Sequence, residues 1–96
     1  MKIFSKSRGE KSKPKTLDDA TDYVLSKLTV DQINEIKSNP HQDFHFSLGL
    51  YIRNNLGLVD MSNSSLIKDI GKRGFLTHPD TVSNVIVDEV VKKVLE

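Results

Sequence analysis

Apolar residues along this chain recur at three- and four-residue spacing, the period of helices, rather than at the two-residue spacing of strands. Leu17, Ala20, Val24 and Leu28 form one such stripe with Tyr23 beside it, while Asp18, Asp22 and Lys27 fall on the opposite side. Thr16 ahead of the stripe, with Asp19 at the third helical position, is an N-cap signal of the capping-box kind with Asp in place of Glu. The pattern restarts at Thr29-Val30-Asp31-Gln32, a Thr-x-x-Gln capping box, and Ile33 and Ile36 supply the inner face of a short helix that stops before Asn39-Pro40. Two antiparallel helices with a tight joint are predicted.

The next run is apolar on two sides. A third helix is expected from about Gln42 to Asn55, with Phe44, Leu48, Tyr51 and Ile52 on one side and Phe46, Leu50 and Arg53 nearly opposite. A helix apolar almost all round belongs at the centre of a bundle. Gly49 in its interior costs about 1 kcal/mol relative to Ala, which the close approach of another backbone would explain. Gly57 suits a left-handed C-terminal cap, with Leu56 and Leu58 locking the exit. Leu66, Ile67 and Ile70 support a fourth helix, capped by a Ser or Asn of the 60–65 segment and stopped at Gly71. His78-Pro79-Asp80 places Pro at the first position of a last helix, along which Val82, Val85, Ile86, Val90 and Val94 recur. Its many β-branched residues weaken helix propensity, so Val85-Ile86-Val87 also reads as a strand. Asp88-Glu89 and Lys92-Lys93 fall where a helix exposes them, and the fold class that follows is all-α, a compact orthogonal bundle of about five helices.

Composition and charge add an arm to this picture. Ninety-six residues, 36% hydrophobic and 28% charged, suit one small domain. A chain of this size buries about 65% of its unfolded surface, so a partner or a second copy could add much of its stability. Net charge is +1, but residues 1–15 hold Lys2, Lys6, Arg8, Lys11, Lys13 and Lys15 against Glu10 alone, whereas residues 16–96 hold 8 basic and 12 acidic side chains. With few apolar groups, residues 1–15 are expected to be a disordered basic arm and residues 16–96 a single helical domain. The arm's six cations could contact nucleic-acid phosphates or an acidic partner; otherwise it is a solubilising tail. The absence of cysteine rules out disulfides, a thiolate nucleophile and thiolate zinc sites. The start of the chain lacks the apolar run of a signal peptide and no segment approaches a membrane span, so neither export nor membrane insertion is expected, with the cytoplasm as the default location.

Candidate chemistry is sparse. His41 and His45 stand four apart, a spacing by which two imidazoles share a metal, with Asp43, His78 or Asp80 available to complete a set. No zinc-protease glutamate follows His41, and the pair reads instead as capping or bridging residues; no metal or cofactor is expected. No nucleophile sits in a recognisable strained turn, and the chain is expected not to be an enzyme. Gly71-Lys72-Arg73-Gly74 lacks both the Walker spacing and a preceding strand, and reads as a helix stop with exposed cations. Arg53, Asn54 and Asn55 are residue types that pair with base edges, which with the basic arm makes nucleic-acid binding the alternative function. Against it, Arg53 is the only base-reading cation of the third helix, and Asn54 and Asn55 can equally satisfy the helix's last carbonyls.

Taken together, Thr16-Leu17-Asp18-Asp19-Ala20, the run His45-Phe46-x-Leu48-Gly49-x-x-Ile52-Arg53-Asn54-Asn55-x-Gly57-Leu58 and His78-Pro79-Asp80 resemble an uncharacterised family of small bacterial helical domains of unknown function, over residues 16–96. Members of that family often carry an aromatic after the Gly-Leu pair, where this chain has Val59. The resemblance implies the domain boundaries and marks His45, Arg53, Asn54, Asn55, His78 and Asp80 as polar positions of interest. The expected function is non-enzymatic binding of another protein, of the adaptor, inhibitor or immunity kind, a class that includes phage- or defence-related roles. Phe46, Leu50 and Arg53 are expected to form the contact surface, if no other helix covers them.

Overall fold

The structure, a computed structural model, describes residues 13–39 and 42–96; the expectation of a disordered arm falls for residues 1–12 outside the described residues, as does His41. Among the described residues five helices follow one another: α1 (Leu17–Lys27), α2 (Val30–Ser38), α3 (Ser47–Asn55), α4 (Ser64–Lys72) and α5 (Pro79–Leu95). The all-α bundle expected from the spacing is present, and the strand reading of Val85-Ile86-Val87 gives way to the middle of a 17-residue helix.

The caps at Thr16, Thr29 and Asn63 are those the sequence signals; the cap by the His78 side chain was not among them. Thr16 Oγ1 accepts from the Asp19 amide at 3.1 Å, and Thr29 and Gln32 form both hydrogen bonds of a capping box. Asn63 caps α4 by accepting from the Leu66 amide, and the ring of His78 caps α5, its Nδ1 accepting from the Asp80 amide at 3.0 Å with Pro79 as the first helical residue. Each bond satisfies an amide that the first turn leaves without a partner.

Four expectations are corrected. First, α1 and α2 are joined by only Leu28 and Thr29, yet they do not pair along their lengths; both pack on α5. Second, α3 begins at Ser47, not near Gln42, because the Asp43 carboxylate accepts from the His45 amide at 2.8 Å and holds the chain in a turn. Phe44 is still buried, but from that turn. Third, the central helix is α5, which packs against all four others. Its Val85, Ile86 and Val87 are buried in succession, which requires neighbours on several sides, whereas α3 packs extensively only on α5. Fourth, α4 continues through Gly71 to Lys72, and the left-handed glycine after it is Gly74 (φ +97°).

The core joins Leu17, Ala20 and Val24 of α1, Ile36 of α2, Ile52 of α3, Leu66 and Ile70 of α4, and Val82, Ile86 and Val90 of α5. Leu56 and Leu58, flanking left-handed Gly57 (φ +76°), are fully buried and bring the chain from α3 back into the core. Pro14 is also buried, its carbonyl accepting from Asn63 Nδ2 at 2.8 Å, so packing extends ahead of Thr16. No helix among the described residues is long and apolar enough to cross a membrane.

Candidate functional site

Three residues of α3 and its leading turn, four positions apart, meet α5 along one seam. At its first end His45 lies between two carboxylates, Nε2 at 2.8 Å from Asp88 Oδ1 and Nδ1 at 2.9 Å from Asp43 Oδ1. In the middle is Gly49, where an added Cβ would stand 3.7 Å from Ser83 Oγ and 3.9 Å from Val87 Cγ2. What comes close to Gly49 is therefore side chains, Arg53 of α3 itself at 3.3 Å and then Ser83 and Val87 of α5, not the backbone that the sequence suggested. At the far end Arg53 Nη1 donates to Ser83 Oγ at 3.1 Å, and its Nε lies 3.7 Å from Asp80 Oδ1. Ser83, fully buried, donates its own hydroxyl hydrogen bond to the Asp80 carbonyl at 3.0 Å.

This seam gathers His45, Arg53, His78 and Asp80, four of the six polar positions marked in the sequence, and gives them visible local work. His45 bridges, His78 caps and Arg53 ties the C-terminal end of α3 to the first turns of α5. Because the two nitrogens of an imidazole point apart, the carboxylates on His45 do not converge on a common point. No group of three or more histidine and carboxylate side chains among the described residues is placed to hold a metal ion. Asn55 Nδ2 donates to the Tyr51 carbonyl at 2.8 Å, as a helix-ending residue does, and Asn54 is exposed.

The seam also settles which side of α3 is covered. Arg53, expected to share a free face with Phe46 and Leu50, turns toward α5 and its side chain is only 20% exposed. Among the described residues nothing covers Phe46 and Leu50, 79% and 43% exposed. At about 100° per residue they occupy a sector of the helix between the seam and a second feature, which the sequence did not reveal.

That feature is a cavity of about 390 Å³ where the end of α1, α2 and the start of α3 meet. Leu28, Ile36, Phe44 and Leu48 form its apolar wall. Tyr51 also lines it, with its phenol pKa raised by burial and then by the neighbouring Tyr23, while Lys27 at the rim lies 5.5 Å above the Tyr23 ring. These residues come from three elements, and each obeys the local pattern of its own helix or turn. Leu28 and Phe44, read in the sequence as parts of helical stripes, lie just outside the helices, and no signal in the chain marked a cavity there.

The basic Gly71–Gly74 joint holds no cradle. Arg73 Nε donates to Asp69 Oδ2 at 3.0 Å, which with the Leu17 amide on the same oxygen keeps the Asp69 carboxyl below its ordinary pKa. The Leu17 amide is the larger cause.

The chain belongs to the family described as a domain of unknown function (DUF6794), whose model matches residues 13–94. No curated protein and no solved structure matches it.

Proposed function

We propose that this domain is a non-enzymatic protein-binding module whose contact surface is centred on the uncovered side of α3. One observation carries the reading: Phe46, the residue that leads into α3, and Leu50 one turn further on are 79% and 43% exposed, while the other side of the helix is sealed on α5. Exposed large apolar groups arranged together on a rigid element are what a partner can desolvate with net gain. Arg53 acts as a positioning residue for this surface, holding the end of α3 against Ser83. Residues 16–96 carry 12 acidic against 8 basic side chains, so the partner fitted to this surface is a protein with an apolar contact centre and a basic surround. A small domain of this kind suits adaptor, inhibitor or immunity roles.

Affinity capture from the native host, comparing wild type with Phe46→Asp, Leu50→Asp and the control Val30→Asp, tests the assignment. Val30, 72% exposed at the start of α2, is an apolar residue on a different element from Phe46 and Leu50. A protein recovered with wild type and Val30→Asp but lost with both α3 variants, and then shown to bind the purified domain, is the expected result. Equal recovery by all four folded proteins removes the surface from consideration.

A further inference from the structure

The cavity beside the exposed α3 surface has a divided chemistry. Its wall is apolar, while its rim carries the neutral hydrogen-bonding groups of Gln32, Gln42, Ser47 and Tyr51. The two charged rim residues, Lys27 and Glu35, are opposite in sign, so the rim gives no strong preference for an anion or a cation. At about 390 Å³ the space lies near the lower end of the about 300–1,000 Å³ range of ligand pockets, suited to one bulky group rather than an extended cofactor. Amides and hydroxyls around an apolar recess match a peptide: the recess takes a side chain and the rim pairs with main-chain N–H and C=O groups.

We propose that the cavity receives one large apolar side chain, aromatic or leucine, from a peptide segment of the partner that covers Phe46 and Leu50. This rests on the protein-binding reading and names the part of the partner that anchors it. Ser47 lines the cavity and lies about 60° round α3 from Leu50, so a segment crossing that helix passes from the exposed surface to the cavity mouth without a gap. The anchor supplies the fully desolvated contact, and Phe46 and Leu50 exclude water beside it.

Nuclear magnetic resonance titration of the full chain with blocked peptides N-acetyl-Gly-Trp-Gly-amide and N-acetyl-Gly-Leu-Gly-amide tests this, with N-acetyl-Gly-Lys-Gly-amide and free indole as comparisons. Saturable shifts of the Leu28, Ile36 and Leu48 methyls are expected with the first two, and none with the lysine peptide. Ser47 is exposed, so Ser47→Trp can obstruct the mouth while the α4 and α5 resonances stay in place; it should weaken the tryptophan peptide by about tenfold or more. The inference is overturned if neither apolar peptide gives saturable shifts, if Ser47→Trp leaves them unchanged, or if indole binds as tightly as the tryptophan peptide, which would make the cavity a small-molecule site. If the peptides fail while Leu50→Asp still abolishes partner binding, the cavity assignment falls and the protein-binding reading stands.

Discussion

Asp69 Oδ2 accepts the backbone amide of Leu17 at 2.9 Å across 52 positions of sequence, so the first residue of α1 is capped by a side chain of α4. Thr16 satisfies the Asp19 amide of the same turn. The start of α1 is therefore held by one local and one distant oxygen, and the distant one also binds Arg73.

Replacing Asp69 with Ala is expected to destabilise the domain by about 1–2 kcal/mol, the cost of leaving a helix-terminal amide without its charged acceptor at a site 23% exposed. The effect should also depend on pH. The folded-state pKa of Asp69 lies below the unfolded value of about 3.9, so its stabilisation is fully present above that value and is lost as pH falls through the folded-state pKa. Urea unfolding of wild type and Asp69→Asn over acidic pH measures this. The Asn variant should be less stable near neutrality and lose less on acidification; parallel curves would show that the carboxylate contributes nothing.

Asn63 offers a sharper test of polar satisfaction. Its Nδ2 donates to the carbonyls of Pro14 and Leu56 while its Oδ1 caps α4, and the residue is buried. Asp is as good an N-cap as Asn in general, but here it would turn a carboxylate oxygen toward two carbonyls. Asn63→Asp should therefore cost about 2–4 kcal/mol, and at least as much as Asn63→Ala, in thermal or urea unfolding. A neutral Asp variant would mean that the cap alone matters.

The α3–α5 seam predicts coupling between Arg53 and Ser83. Single alanine substitutions should each cost about 0.5–2 kcal/mol, and the double variant should fall short of their sum by about 0.5–1 kcal/mol. Strict additivity in a double-mutant cycle would dissolve the pair.

Glycine substitutions separate two reasons for the same residue type. At Gly57, φ is +76° and an added Cβ would lie 2.8 Å from Ser62 Oγ and 3.1 Å from Asn63 Cβ, so Gly57→Ala should cost about 1–3 kcal/mol. At Gly49 the nearest atom to an added Cβ is Arg53 Nη1, 3.3 Å away at the end of a flexible side chain. The gain in helix propensity, about 1 kcal/mol, then offsets the displacement of that group, and Gly49→Ala should change stability by less than about 1 kcal/mol. Chemical denaturation that ranks the two the other way contradicts this assignment.

How much of the molecule was legible in the chain depends on the range of the interactions. The caps at Thr16 and Thr29, the start of α5 at Pro79, the left-handed turn at Gly57 and the helical reading of the valine-rich C-terminal run depend on neighbours within a few positions, and side-chain period and backbone sterics specify them directly. The late start of α3 is also local, but the competing turn made by Asp43 looks in sequence like an ordinary helical beginning.

Hydrophobic spacing marks which face of a helix is buried, without saying what buries it. Tertiary structure alone decided that α5 rather than α3 is central, that His45, Gly49 and Arg53 face α5, that Phe46 and Leu50 are left uncovered, and that three elements enclose a cavity. The physical reason is that apolar contact is not directional: Val85-Ile86-Val87 and Phe46-Leu50 look equally ready for burial in sequence. The joint packing of all the elements determines which of them finds neighbours on every side.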